Sequence, residues 1–190
     1  MGIDLGSARR WARALQEAAA TPGARCVDAT MGNGGDTEAL CRLVGPEGHV
    51  WAFDVQEAAL AQTRARLMRS GLHDRATLLL CGHERMAEQI PGEITLAVFN
   101  LGWLPGAPDK ALTTRADTTL RALDAAMALL TVGGLITVCA YPGHDEGGRE
   151  LNAVLGWASK QPPRLAQTMV QRYLNQGDGA PVLIVLTRLR

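Results

Sequence analysis

"RLAQTMVQRYLNQGDGAPVLIVLTRL", residues 164–189, holds two strand-like runs, 164–174 and 180–189, around the short loop NQGDG. A brief, glycine-bearing loop between two such runs predicts an antiparallel hairpin with no intervening helix. The chain before it keeps a different rhythm. The runs ARCVDA, HVWAFD, ATLLLC, ITLAVFN and LITVCAY are short, nearly continuously apolar and supplied with β-branched or aromatic residues. Strands buried on both faces have this composition, as in a parallel sheet covered by helices.

Helical stripes lie between these runs. Leu40, Leu43 and Val44 precede Gly45, and Leu60, Leu67 and Met68 precede Gly71. Leu120, Leu123, Met127 and Leu130 precede Gly133–Gly134, and Leu151, Val154, Leu155 and Ala158 form a fourth stripe. The spacing predicts a left-handed C′ glycine after each of the first three helices. A leading helix aligns Leu5, Ala8, Ala12 and Leu15. Strand–helix alternation implies an α/β, Rossmann-like doubly wound sheet with helices on both faces. A seven-stranded, mostly parallel sheet ending in an antiparallel hairpin resembles the class I S-adenosylmethionine-dependent methyltransferase fold.

The 190 residues suit a single domain, 1–190, with a well-buried core. Net charge is zero, so no overall field draws the molecule to nucleic acid or anionic lipid, and any basic face must be local. Cys26, Cys41, Cys81 and Cys139 are scattered and form no C-x-x-C pair, which points to free thiols and no metal site. The absence of a signal-like or membrane-spanning run gives a cytoplasmic expectation.

Chemistry concentrates where strands end. In a doubly wound sheet, ligands bind beyond the carboxyl ends of the strands, beside the first one. "DATMGNGGDT", residues 28–37, occupies that place. Gly32 and Gly34 fit a dinucleotide fingerprint, but Thr37 stands where its third glycine should be. Asp36 puts a carboxylate at the helix start, where it caps the helix and repels pyrophosphate but suits the ammonium of a methionine. Asp54 ends the second strand at the right spacing to accept ribose hydroxyls, or to cap the next helix. His83 follows the third strand, on the side where an adenine would lie. "FNLGWLPG", residues 99–106, resembles the N-P-P-Y loop of amino-group methyltransferases, with Leu101–Gly102 in place of the two prolines. An amide oxygen and a backbone carbonyl there can aim an amine while an aromatic packs on the base.

Taken in order, DATMGNGGDT, FDVQ, CGHERM, FNLGWLPG with Asp109–Lys110, YPGHDEG and the late NQ…P resemble the MnmM-type (YtqB-like) family from about residue 25 to about 185. Those proteins methylate the 5-aminomethyl group of the modified wobble uridine, 5-aminomethyl-(2-thio)uridine, in bacterial tRNA. The resemblance implies S-adenosyl-L-methionine as cofactor and a tRNA anticodon stem-loop as partner, with a homodimer left open. It assigns Asn33, Asp36 and Thr37 to the methionine end of the cofactor, with Asp28, Gly32 and Gly34 among the cofactor-binding residues. Asp54, Gln56 and His83 go to its ribose and adenine side. Asn100, Leu101, Gly102 and Trp103 would face the amine, with Tyr141 across the cleft. His144 is a candidate base, helix cap or phosphate contact. Lys110 and Arg115, with Arg149, would meet RNA phosphates, while Arg64, Arg66 and Arg69 read as solvated surface. Departures include Gly35 and Cys81–Gly82. Two other classes share many of these features: a methyltransferase acting on rRNA or a small amine, and a NAD-binding protein.

Overall fold

The computed structural model describes residues 6–102 and 113–190. Its strands are β1 (Arg25–Asp28), β2 (His49–Asp54), β3 (Ala76–Leu80), β4 (Ile94–Asn100), β5 (Leu130–Ala140), β6 (Ala166–Gln171) and β7 (Val182–Arg188). Its α-helices are α1 (Ala8–Ala19), α2 (Gly35–Val44), α3 (Glu57–Arg69), α4 (Met86–Gln89), α5 (Ala116–Leu129) and α6 (Asp145–Ser159). The strands form one sheet in the order β3-β2-β1-β4-β5-β7-β6. β1 to β5 run parallel, and β7 pairs antiparallel with both β5 and β6. This is the class I methyltransferase arrangement expected from the hairpin. Here β7 slots between β5 and β6, so β6 becomes the outer edge. The connection between these two strands spans 172–181, longer than the five-residue loop read from the sequence.

Alternation along the strands builds two cores. Cys26, Val50, Leu96 and Val98 face α2 and α3, while Val27, Trp51, Phe53, Ala97 and Phe99 face α4, α5 and α6. Successive strand residues point to opposite faces, so the nearly continuous apolar runs supply both. Phe53 and Phe99 are fully buried, each stabilising by roughly 1.5–3 kcal/mol relative to exposure. α1 covers the far end of the α2–α3 face, with Ala8 and Ala12 packed on Cys139, Leu183 and Val185. Its Gln16 is buried and donates to Thr137 Oγ1 at 2.9 Å, a polar tie that apolar periodicity does not reveal. Leu5 lies outside the described residues.

Gly45 (φ 68°) and Gly71 (φ 65°) sit just past α2 and α3 at positive φ, Gly71 at the expected C′ position and Gly45 as the C-cap itself, with ψ −168°. The third glycine signal has another cause. α5 stops at Leu129 and Leu130 enters β5 at once, so Gly133 (φ 80°) lies inside the strand. The β4–β5 register shifts there, Ile94 pairing with Leu130 but Leu96 with Leu135. A glycine in a strand marks such an irregularity, since the extra residues need a bend. No helix among the described residues is long and apolar enough to cross a membrane.

Candidate active site

β1 ends at Asp28 and the chain turns through residues 29–34 into α2. Gly34, at φ 76°, is the N-cap of α2. A Cβ added there would lie 2.9 Å from Thr63 Cα, so conformation and close packing on α3 both demand glycine. The loop is pinned on every side. Ala29 N–H donates to the Val98 carbonyl and Met31 N–H to that of Phe53. Thr63 Oγ1 donates to the Gly32 carbonyl at 3.0 Å, and Arg66 Nε to that of Asn33 at 2.8 Å. Gly32 N–H donates to Asp54 Oδ2 at 3.1 Å, which joins the loop to the end of β2. Arg66 is therefore a loop-holding residue and not the solvated surface charge its helical position suggested. Its Nη1 also meets Glu38 Oε2 at 3.0 Å. Bonds from Ser70, Arg42 and Arg66 hold that carboxyl down at about 2.

Asp28 and Thr37 do not face a ligand. Both are fully buried beneath the loop, where Thr37 Oγ1 donates to Asp28 Oδ2 at 2.6 Å and Thr30 N–H to Asp28 Oδ1 at 3.2 Å. They shape the turn in place of the cofactor contact expected of them. Burial, reinforced by the charge of Asp36, pushes the Asp28 carboxyl up to about 7 against the bonds from Thr37 and Thr30. An unfolded aspartate releases its proton near 3.8. Between the two values the folded state holds the extra proton, so stability falls as pH rises through this window, by roughly 1.4 kcal/mol per unit at most. Asp28→Asn cannot ionise and is expected to flatten that slope in denaturant titrations across the window. An identical slope in the variant would show that Asp28 contributes nothing to it.

Asn100 ends β4, its backbone N–H donating to Thr30 Oγ1 at 2.8 Å. Its side-chain Nδ2 donates to Asp36 Oδ2 at 2.7 Å. A carboxylate accepts only, so the amide cannot be reversed there, and Asn100 Oδ1 is turned away from Asp36 as a hydrogen-bond acceptor. The cap of α2 is Gly34, so Asp36 does not have the capping role read from the sequence. It orients Asn100 instead, and the same Oδ2 lies 3.5 Å from Arg9 Nη2.

Beyond Asn100, Leu101 is a core residue. Its N–H donates to the Cys139 carbonyl at 2.9 Å and its side chain is buried, so the side chain takes no part on the amine side. Gly102 N–H donates to Thr114 Oγ1 at 2.8 Å, and Thr114 N–H returns to the Gly102 carbonyl at 3.1 Å. Thr114 Oγ1 in turn donates to Glu150 Oε2 at 2.7 Å, and Thr119 Oγ1 to Glu150 Oε1 at 2.6 Å. Burial raises this carboxyl, which is 1% exposed. Glu150 thus clamps the two ends of the segment between Gly102 and Thr114 onto α6. Sequence reasoning missed it, because an acid in an amphipathic helix reads as solvent-facing. Trp103 and Lys110 lie outside the described residues. Arg115 is exposed at the N-cap of α5, with Asp117 Oδ1 3.7 Å from its Nε.

At the end of β2, Asp54 takes Gln56 N–H on Oδ1 at 3.0 Å, so its cap-like bond and its bond to Gly32 coexist. Gln56 stands at the N-cap of α3 without a capping side-chain bond. Val55, between them, is 62% exposed, an apolar surface beside the carboxylate that the sequence reading passed over. His83 is buried, with Nδ1 donating to the Ala29 carbonyl at 3.0 Å and the ring tilted against Phe99. It tethers the end of β3 to the end of β1, a different role from the open adenine-side contact expected. Burial lowers its pKa.

Tyr141 follows β5, half-buried against the α1 cluster, its phenol pushed up by that burial. His144 is the N-cap of α6, Nδ1 accepting from Gly147 N–H at 3.1 Å. Of the three roles the sequence left open for His144, this bond is the helix-capping one. A Cβ on Gly147 would fall 2.3 Å from the Tyr141 carbonyl, so only glycine lets α6 start this close to the strand end. Arg149 pairs loosely with Glu146 at 3.8 Å.

The site therefore combines a rigid glycine loop, two partly exposed carboxylates at the ends of β2 and α2, and an oriented amide at the end of β4. Comparison with known proteins fits this geometry. Residues 50–187 match the family model described as "Putative rRNA methylase". A chloroplastic tRNA (mnm(5)s(2)U34)-methyltransferase of Arabidopsis thaliana is 37% identical over 162 residues, which are 80% of this chain and 57% of that protein. The chain thus spans little more than half the length of that relative. A Clostridium thermocellum structure with the same description as the family superposes with a TM-score of 0.96 at 35% identity, covering 98% of this chain and 100% of that one. A Streptococcus mutans methyltransferase in complex with SAH does so with 0.89 at 31% identity, over 98% of this chain and 100% of its own. By sequence and by strand order alike, the chain belongs to this rRNA methylase family and carries its class I methyltransferase fold.

Proposed function

We propose that the chain is a cytoplasmic S-adenosylmethionine-dependent methyltransferase, one domain throughout, that converts the 5-aminomethyl group of the tRNA wobble uridine to 5-methylaminomethyl. The observation that carries this reading is the amide of Asn100 at the end of β4, whose nitrogen is held by Asp36 so that its oxygen is kept as an acceptor. The acids of the site support the cofactor. Asp36 stands in the first turn of α2 and Asp54 accepts from Gly32 N–H, so two carboxylates lie against the loop. A pyrophosphate would be repelled there, whereas adenosylmethionine, with a sulfonium, an ammonium and one carboxylate, is a net cation. This favours it over NAD. Val55 offers an apolar surface to the adenine, and Asp54 can accept the ribose hydroxyls.

Bound adenosylmethionine supplies a methyl group on a positively charged sulfur. The protein's part is to orient the acceptor. Asn100 Oδ1 accepts an N–H of the primary amine and aims the nitrogen lone pair away from the amide. The Glu150 clamp sets the base of the segment after β4. Fixing an amine this way converts a bimolecular encounter into an oriented one, with effective molarities of about 10⁵ M or more in well-aligned cases. A wobble base in a single-stranded anticodon loop can be splayed into such a cleft.

The test is methylation in vitro with labelled adenosylmethionine. The substrates are tRNA from cells lacking this activity, which carries the 5-aminomethyl group, and rRNA from the same cells. Label in 5-methylaminomethyluridine, found by nucleoside mass spectrometry, is the expected result. Label in rRNA alone would overturn the tRNA assignment and leave the methyltransferase standing.

A further inference from the structure

Arg9 occupies an electrostatically unfavourable place. It lies in the first turn of α1, which has no acidic residue there, and the positive end of a helix dipole disfavours a cation. α1 itself is firmly set. Ser7 caps it, accepting from Arg10 N–H at 3.2 Å, and Ala8 and Ala12 are buried against β5 and β7. Tyr173, from the β6–β7 connection, donates to the Gly6 carbonyl at 2.6 Å. A rigid element thus carries Arg9 to the strand ends, where it influences both Cys139 and Tyr141.

Its guanidinium meets Asp36 Oδ2 at 3.5 Å with the side chain 65% exposed. That is longer than a well-formed hydrogen bond, and exposed pairs of this kind contribute about 1 kcal/mol or less. Asp36 also receives Asn100 on the same oxygen. The result is a positive and a negative group side by side at the mouth of the glycine loop, loosely joined. An amino acid zwitterion has the complementary pattern.

We propose that Arg9 binds the α-carboxylate of the methionyl part of the cofactor while Asp36 receives its ammonium. The inference rests on the adenosylmethionine reading above. The zwitterion inserts between the two side chains, its carboxylate on the guanidinium fork, a geometry suited to bidentate bonding. The site thereby selects ligands that keep the amino acid moiety.

Calorimetry with two ligands tests this. S-adenosylhomocysteine has the zwitterion; 5′-methylthioadenosine has the same nucleoside without it. Arg9→Ala is expected to weaken S-adenosylhomocysteine binding about 10- to 100-fold, as for the loss of a charge-assisted hydrogen bond. Its affinity for methylthioadenosine should stay within about two-fold, which also reports an intact fold, and Arg9→Lys should restore part of the loss. Equal weakening of both ligands would make Arg9 a structural residue and overturn the proposal, as would no weakening of either. Wild-type protein that binds neither ligand would overturn the cofactor reading itself, and the inference with it.

Discussion

Asn100→Ala is expected to lower turnover on aminomethyl-bearing tRNA about 100-fold or more, with adenosylmethionine affinity unchanged within a few-fold. Orienting groups at a reacting centre contribute on this scale, about 10² to 10³ in rate for one lost hydrogen-bonding partner. The cofactor is spared because the substitution removes only the amide, which donates to Asp36 and leaves that carboxylate in place, while the backbone bond to Thr30 and the tie between Asp54 and Gly32 are untouched. Asn100→Asp is the harsher change, since it sets a second carboxylate against Asp36 where the amide now donates. Single-turnover rates and calorimetry separate the two effects. Should the alanine variant lose cofactor binding and activity together, Asn100 belongs to the cofactor site and the amine-orienting role is wrong.

Asp54→Ala is expected to weaken adenosylmethionine binding by about 1.5–3 kcal/mol, the range for hydrogen bonds to a charged group. Two losses contribute. The ribose hydroxyls lose their acceptor, and Gly32 N–H loses the carboxylate that ties the glycine loop to β2. Asp54→Asn keeps one acceptor oxygen and should fall between the variant and the wild type. Folding should survive, because the carboxylate is only half-buried and makes no core contact. Affinity unaltered in calorimetry would remove Asp54 from the site.

The sequence alone determined whatever depends on neighbours along the chain. Apolar runs and 3-4 spacing located the strands and helices, and Gly45 and Gly71 marked helix ends, because backbone conformation and burial periodicity are local properties. The hairpin signal at 164–189 decided the fold class. The glycine loop, Asp54 and Asn100 were legible as candidates because a doubly wound sheet brings all its strand ends to one edge.

Which way each side chain turned was decided only by the tertiary structure. Asp28 and Thr37 look like ligand contacts in the motif, yet they bond each other under the loop, since a turn of this shape has no fixed period to separate inside from outside. His83 and His144 have imidazoles that suggest chemistry, yet in the fold His83 Nδ1 donates to the Ala29 carbonyl and His144 Nδ1 accepts from the Gly147 amide. The partners that matter most are distant in sequence: Asn100 meets Asp36 across 64 positions, and Thr114 meets Glu150 across 36. Local pattern sets where a residue stands on its element. Electrostatic pairing acts over a few ångströms and depends on which elements the sheet order makes neighbours.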